Sequence, residues 1–203
     1  MKIFCIGRNY IDYVKEIKSN MPDAPVVYMK PETSLLKNNQ PFFYPDFTNN
    51  LNYGVEIVVK INRVGKNISA KFAHRYYSQI AIGINLIASD IQSRHIEKGL
   101  PLEIAYSFDN SAHISKFYNI SEFGEISNTN FSLKQNNNIV QQGNTSNMIF
   151  DINNLIAYIS KIFTVKIGDL IYTGTPSGVG AVSVGDKFEA YIENKKLLIC
   201  DIK

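Results

Sequence analysis

Leu51-Asn52-Tyr53-Gly54-Val55-Glu56-Ile57-Val58-Val59 places one acidic side chain in an apolar, β-branched run that continues to Ile61 and stops at Asn62 and Gly65. Such a run between turn residues reads as a buried strand, here over 54–61. A carboxylate inside it is costly unless it is paired or holds a ligand, so Glu56 is the first candidate functional residue. Two later stretches stand beside it. Gln142-Gly143-Asn144-Thr145-Ser146 is a polar loop, and Tyr172-Thr173-Gly174-Thr175-Pro176-Ser177-Gly178-Val179-Gly180 is the densest glycine cluster in the chain. No Gly-Lys-Ser/Thr ends that cluster and no Gly-x-Gly-x-x-Gly opens a helix after it, which excludes the two common phosphate loops. Its own residues are compatible with a plain tight turn between strands.

At 203 residues the chain has the size of one domain, and no repeat, linker or low-complexity run divides 1–203. A hydrophobic fraction of 45% against 19% charged residues fits a globular protein and argues against disorder. The formal charge of +3 is small and the lysines are scattered, so nucleic acid is not an expected partner. No apolar run has the length of a membrane span, and the one at Met1–Gly7 is too short for a signal peptide; a cytoplasmic protein without a membrane partner is expected. Cys5 and Cys200 lie in apolar strand-like runs and read as free core residues rather than a disulfide.

Periodicity supplies the elements. Strands are expected at 2–6, 26–29 and 80–84, and a short helix within 10–18, where Ile11, Val14 and Ile17 recur at helical spacing. Further helical segments are expected at 72–77 and around 89–96. Strands 131–134 and 139–142 flank Gln135-Asn136-Asn137-Asn138, residues that tolerate the positive φ of a tight hairpin. Ile152, Leu155, Ile156, Ile159 and Phe163 mark one face of the strongest helix, with Asp151 as its N-cap. Strands at 169–173, 187–193 and 197–202 follow, the last two joined through Asn194-Lys195. Strands outnumber helices and several look hairpin-linked, which points to an α+β, mainly-β fold.

The three opening stretches, with Gly7-Arg8-Asn9-Tyr10, Met29-Lys30-Pro31 and Phe108-Asp109-Asn110-Ser111, resemble the fumarylacetoacetate hydrolase family over almost the whole chain. The resemblance implies a mixed β-sheet roll with short outer helices, like the family's C-terminal domain, and a homodimer. It implies a small 2-oxo acid ligand and Mg²⁺ or Mn²⁺, in a protein similar to acylpyruvate hydrolases, oxaloacetate decarboxylases and oxo-dioate isomerases. In these a divalent ion polarises the 2-oxo carbonyl while C–C cleavage or enolisation proceeds. The glycine loop resembles the family's Thr-Gly-Thr-Pro-x-Gly-Val-Gly, which assigns Gly174, Thr175 and Pro176 to the substrate carboxylate; Arg8 and Asp109 join them by their motifs.

This chain departs from the family where that chemistry needs charge. A Glu-x-Glu pair with a later Asp holds the metal in the family; the matching positions here are Gly54, Glu56 and Asn85, leaving Glu56 and Asn85 as candidate ligands. The lid pair His-x-x-Glu becomes Tyr13-Val14-Lys15-Glu16, and a phenol with an unperturbed pKa of about 10 is a poor base near neutrality. Ala-Arg-Asp becomes Ala88-Ser89-Asp90, and Lys-Ala-Phe-Asp becomes Tyr106-Ser107-Phe108-Asp109. Tyr13, Glu16 and Tyr106 are therefore the candidate catalytic groups, and five changes in one pocket argue for impaired chemistry with weak or lost metal binding. Two alternatives stand beside that reading: a silent carboxylate-binding protein using Thr175 and nearby amides, and a metal-independent enzyme using Glu16, Tyr106 or His113.

Overall fold

A computed structural model describes residues 1–203. The chain begins with the buried strand β1 (Ile3–Gly7) and the short helix α1 (Ile11–Glu16). β2 (Val26–Lys30) returns antiparallel beside β1, and β3 (Leu35–Leu36) follows a single 3₁₀ turn. β4 (Leu51–Ile61) is the strand of the opening stretch; α2 (Ala70–Ala73) precedes β5 (Tyr77–Ala88). Helices α3 (Ser89–Lys98) and α4 (Glu103–Tyr106) lead to β6 (Ala112–Ile114) and β7 (Tyr118–Asn119). β8 (Asn130–Gln135), β9 (Asn138–Asn144), α5 (Ile152–Ile162), β10 (Leu170–Tyr172), β11 (Gly180–Val182), β12 (Lys187–Ile192) and β13 (Lys195–Asp201) complete the chain.

A curled nine-stranded sheet runs β2-β1-β10-β4-β5-β6-β3, with β11 added to β4 and β7 to β5; a four-stranded sheet runs β13-β12-β8-β9. β1–β10 and β3–β6 are parallel and the other pairs antiparallel, so the mainly-β, mixed-sheet expectation is met. Strand side chains alternate between faces. Val55, Ile57, Val59 and Ile61 therefore enter the large core shared with α5 and the second sheet, while Val58 joins a smaller core of Ile3, Cys5, Ala81, Ile114, Leu170 and Tyr172. Gly54, Glu56, Val58 and Lys60 form the row on that second face, which sets the functional geometry.

The sequence-derived elements recur with shifted ends. Asp151 caps α5, its Oδ1 accepting from Asn154 N at 2.7 Å, and Asn136 and Asn137 turn the β8–β9 hairpin at φ 52° and 69°. Three expectations are corrected. The segment 72–77 is the end of α2 and one 3₁₀ turn, and Tyr77 already belongs to β5. β5 extends to twelve residues because β4 pairs with it along its length, through the polar Gln79 that broke the apolar pattern, while Ser78 is skipped at a bulge and exposed. The β12–β13 turn is centred on Glu193 (φ 50°) and Asn194, so Lys195 starts the strand. No helix is long and apolar enough to cross a membrane.

Candidate active site

Register puts Gly54 opposite Asn85 and Glu56 opposite Gly83, so Asn85 and Glu56 lie diagonally on one face. Asn85 Nδ2 donates to Glu56 Oε1 at 2.8 Å and to the Tyr28 hydroxyl at 2.7 Å. The second Glu56 oxygen accepts from Gly174 N at 2.7 Å. That amide is aimed by the chain leaving β10: Thr173 is bonded to Ile57 O through both N and Oγ1, and Gly174 turns at φ +101°. A Cβ there would meet Asn9 Cβ at 2.8 Å, so only glycine fits.

Gln141 locks the glycine loop to β4. Its buried amide accepts from Val55 N at 2.8 Å and donates to Thr175 Oγ1 at 2.9 Å and Pro176 O at 3.0 Å. Thr175 in turn fills the space over Gly54: a Cβ on Gly54 would lie 2.9 Å from Oγ1 and 3.0 Å from both Cβ and Cγ2. From α1 and the loops flanking it, Glu16 Oε2 accepts from Gly178 N at 2.7 Å and Arg8 Nη1 donates to Ser19 Oγ at 3.0 Å.

Lys30 is the fully buried cation of this region. Its ammonium donates to Ser111 Oγ (2.8 Å), Leu86 O (3.1 Å) and Tyr106 O, stapling the 106–111 loop to the sheet. The Tyr106 ring stacks on Tyr28 with centroids 4.7 Å apart, and its hydroxyl accepts from Gln92 Nε2 at 2.8 Å. Burial pushes the Glu56 carboxyl up to about 7, against the Asn85 and Gly174 hydrogen bonds and the Lys30 charge that pull it down. Burial likewise lowers the Lys30 ammonium to about 8, opposed by the negative charge of the Glu56 carboxylate. Desolvation and then the Glu16 charge raise the Tyr13 phenol, which keeps it protonated near neutrality.

Arg8, Tyr13, Glu56, Asn85, Tyr106 and Thr175 line one cavity of about 1280 Å³. Gly174 and Pro176 stand behind its wall, acting through an amide and a carbonyl, and Glu16 is exposed at the end of α1. Asp109 is exposed and does not line the cavity. His113 does not approach it either: β6 directs its ring into the core against Phe42, at 5.3 Å between centroids, with neither ring nitrogen hydrogen-bonded. Sequence reasoning missed Tyr28, Gln92 and Gln141 as cavity and loop partners, and saw Lys30 only within a motif. A lysine closing an apolar strand was the available signal for Lys30.

The donor set does not fit the divalent ion that the resemblance implies. No group of three His, Cys, Asp or Glu side chains is close enough to hold a metal. Of the two candidate ligands only Glu56 is a carboxylate, and both its oxygens are engaged by protein donors. Asn85 turns its NH₂ toward that carboxylate, because the reverse amide would set two acceptors together, and its Oδ1 is left buried without a donor.

A curled mixed sheet with a carboxylate seated under a glycine loop defines a class of fold also found in known proteins. The description "Fumarylacetoacetate (FAA) hydrolase C-terminal" matches residues 2–202, and the chain belongs to that family. It is 39% identical to the mitochondrial oxaloacetate tautomerase FAHD1 of Rattus norvegicus over 191 residues, covering 94% of this chain and 86% of the relative. It is 36% identical to oxaloacetate tautomerase YcgM of Escherichia coli K12, covering 97% and 90%. The crystal structure of fumarylpyruvate hydrolase from Pseudomonas aeruginosa in complex with Mn²⁺ and pyruvate superposes with a TM-score of 0.94 at 29% identity, over 100% of this chain and 89% of the other.

Proposed function

We propose that the cavity above Glu56 receives a small 2-oxo acid and that the divalent-metal step of the family's chemistry is impaired in this chain. The observation that carries the reading is the bonding of Glu56: Asn85 and the Gly174 amide stand where a cation would need carboxylate oxygens. The ligand class is supported by the Mn²⁺–pyruvate complex of the Pseudomonas aeruginosa relative. The tautomerase relatives support enol–keto exchange as the reaction to test. That exchange moves one proton between C3 and the 2-oxo oxygen, and charge on the oxygen must be stabilised. Groups of this chain lining the cavity that can do so include the Thr175 hydroxyl and the Arg8 guanidinium, whereas the amides of Gly174 and Gly178 already hold Glu56 and Glu16. By resemblance the chain is also proposed to form a homodimer, which light scattering reads directly.

The test is the ketonisation of enol-oxaloacetate, followed by ultraviolet absorbance in EDTA and then with Mn²⁺. Mn²⁺ should change the rate by less than about tenfold, equivalent to about 1.4 kcal/mol of transition-state stabilisation. A larger, Glu56-dependent gain would overturn the impaired-metal reading. Pyruvate binding without turnover in either condition would leave a carboxylate-binding protein instead.

A further inference from the structure

The inward row of β4 serves both ends of the curled sheet. Glu56 faces the large cavity at one end, and Lys60, four residues further along on the same face, faces a second cavity of about 330 Å³ at the other. That volume is at the lower end of the roughly 300–1,000 Å³ typical of small-molecule sites. Lys37 and Lys116 line it with Lys60, and Ile114, Phe117 and Leu170 give it an apolar wall.

No Asp or Glu lines this cavity, and none of the three lysines takes part in an ion pair. The carboxylates adjoining it in the chain are already committed: Glu32 to the N-terminal amine at 3.4 Å and Asp169 to Lys2 at 2.6 Å. Lys60 is half-buried, and its ammonium has only Gln79 Oε1 at 3.5 Å and the Phe117 ring at 4.9 Å. An inward, half-buried strand lysine without a counter-charge, beside the solvent-exposed cations of Lys37 and Lys116 and an apolar wall, concentrates positive potential at the cavity.

We propose that this cavity is a second ligand site, distinct from the one above Glu56, for a small organic anion with an apolar body. The anionic group, carboxylate or phosphate monoester, is held by Lys37, Lys60 and Lys116, and the body packs on Phe117. The Ser115 hydroxyl is not a ligand there, because it already donates to Lys116 O and accepts from Ile82 N.

The test is an amide-detected NMR titration of the full chain with phenyl phosphate and with hexanoate, which separate the two anion types. Inorganic phosphate and phenol serve as controls. At least one of the two amphipathic probes should give saturable shifts at Lys37, Lys60, Lys116 and Phe117, and each control should bind at least about tenfold more weakly. Lys60→Met and Lys116→Met, which keep an apolar stem, should each weaken binding of that probe by at least about tenfold. Lys60→Arg should largely restore it, and Thr175→Val in the other cavity should leave it unchanged. The proposal is overturned if neither probe saturates, if the shifts gather around Thr175, or if Lys60→Met binds as tightly as the parent.

Discussion

The titration of Glu56 gives the sharpest prediction about stability. Its carboxyl is 3% exposed and titrates at about 7 in the fold, against 4.5 for the ordinary group. The folded state therefore binds the proton more tightly than the unfolded chain, and its stability falls as pH rises through that window. A shift of 2.5 units at about 1.36 kcal/mol each makes the loss about 3 kcal/mol between pH 4.5 and pH 8. Burial leaves little solvent screening to reduce it. A metal on the carboxylate would reverse the sign by favouring the charged form. Urea unfolding of the parent and of Glu56→Gln, in EDTA across pH 5 to 8, isolates the effect, since the other titrating groups are common to both proteins. The stability difference should move toward Glu56→Gln by about 3 kcal/mol with rising pH. A difference that is flat, or that moves toward the parent, would refute the reasoning.

Gly54→Ala should destabilise by about 1 kcal/mol, because overpacking against Thr175 outweighs the usual gain of alanine over a strand glycine. In a Thr175→Ala background two of the three close contacts vanish and the cost should shrink, which a double-mutant cycle by denaturation measures. Lys30→Met should cost about 3 kcal/mol by leaving buried acceptors at Leu86, Tyr106 and Ser111 unpaired, with hydrogen exchange rising across 106–111. His113 is lowered by burial to about 3 from 6.5, so the unfolded chain binds its proton first and stability is lost as pH falls from 6.5 toward 3. That loss amounts to about 5 kcal/mol, and His113→Leu should flatten the acid limb of the stability curve.

The sequence was most legible where local chemistry decides structure. Asp151 announced α5, two asparagines announced a hairpin turn, and the β-branched run announced β4. Short strands such as β3, β6, β7 and β11 left no periodic trace because pairing with distant strands, not propensity, creates them. At the site, Glu56, Asn85 and Thr175 were found through motifs, and the cavity does gather them. Asp109 and His113 were misplaced because position along the chain does not fix the direction a side chain takes from a turn or a three-residue strand. The buried role of Lys30 depends on carbonyls some 56 to 81 residues away, which no local pattern reveals.

Calorimetric titration of Mn²⁺ into the parent, with and without pyruvate, tests the loss of the metal half of the site most directly. The parent should give no saturable heat, and EDTA should leave its melting temperature unchanged. Gly54→Glu with Asn85→Asp, in a Thr175→Gly background that clears the space over residue 54, should gain a one-to-one site. Tight stoichiometric Mn²⁺ binding to the parent, abolished by Glu56→Gln, would contradict the reading of Glu56 as a carboxylate held by Asn85 and Gly174 in place of a metal.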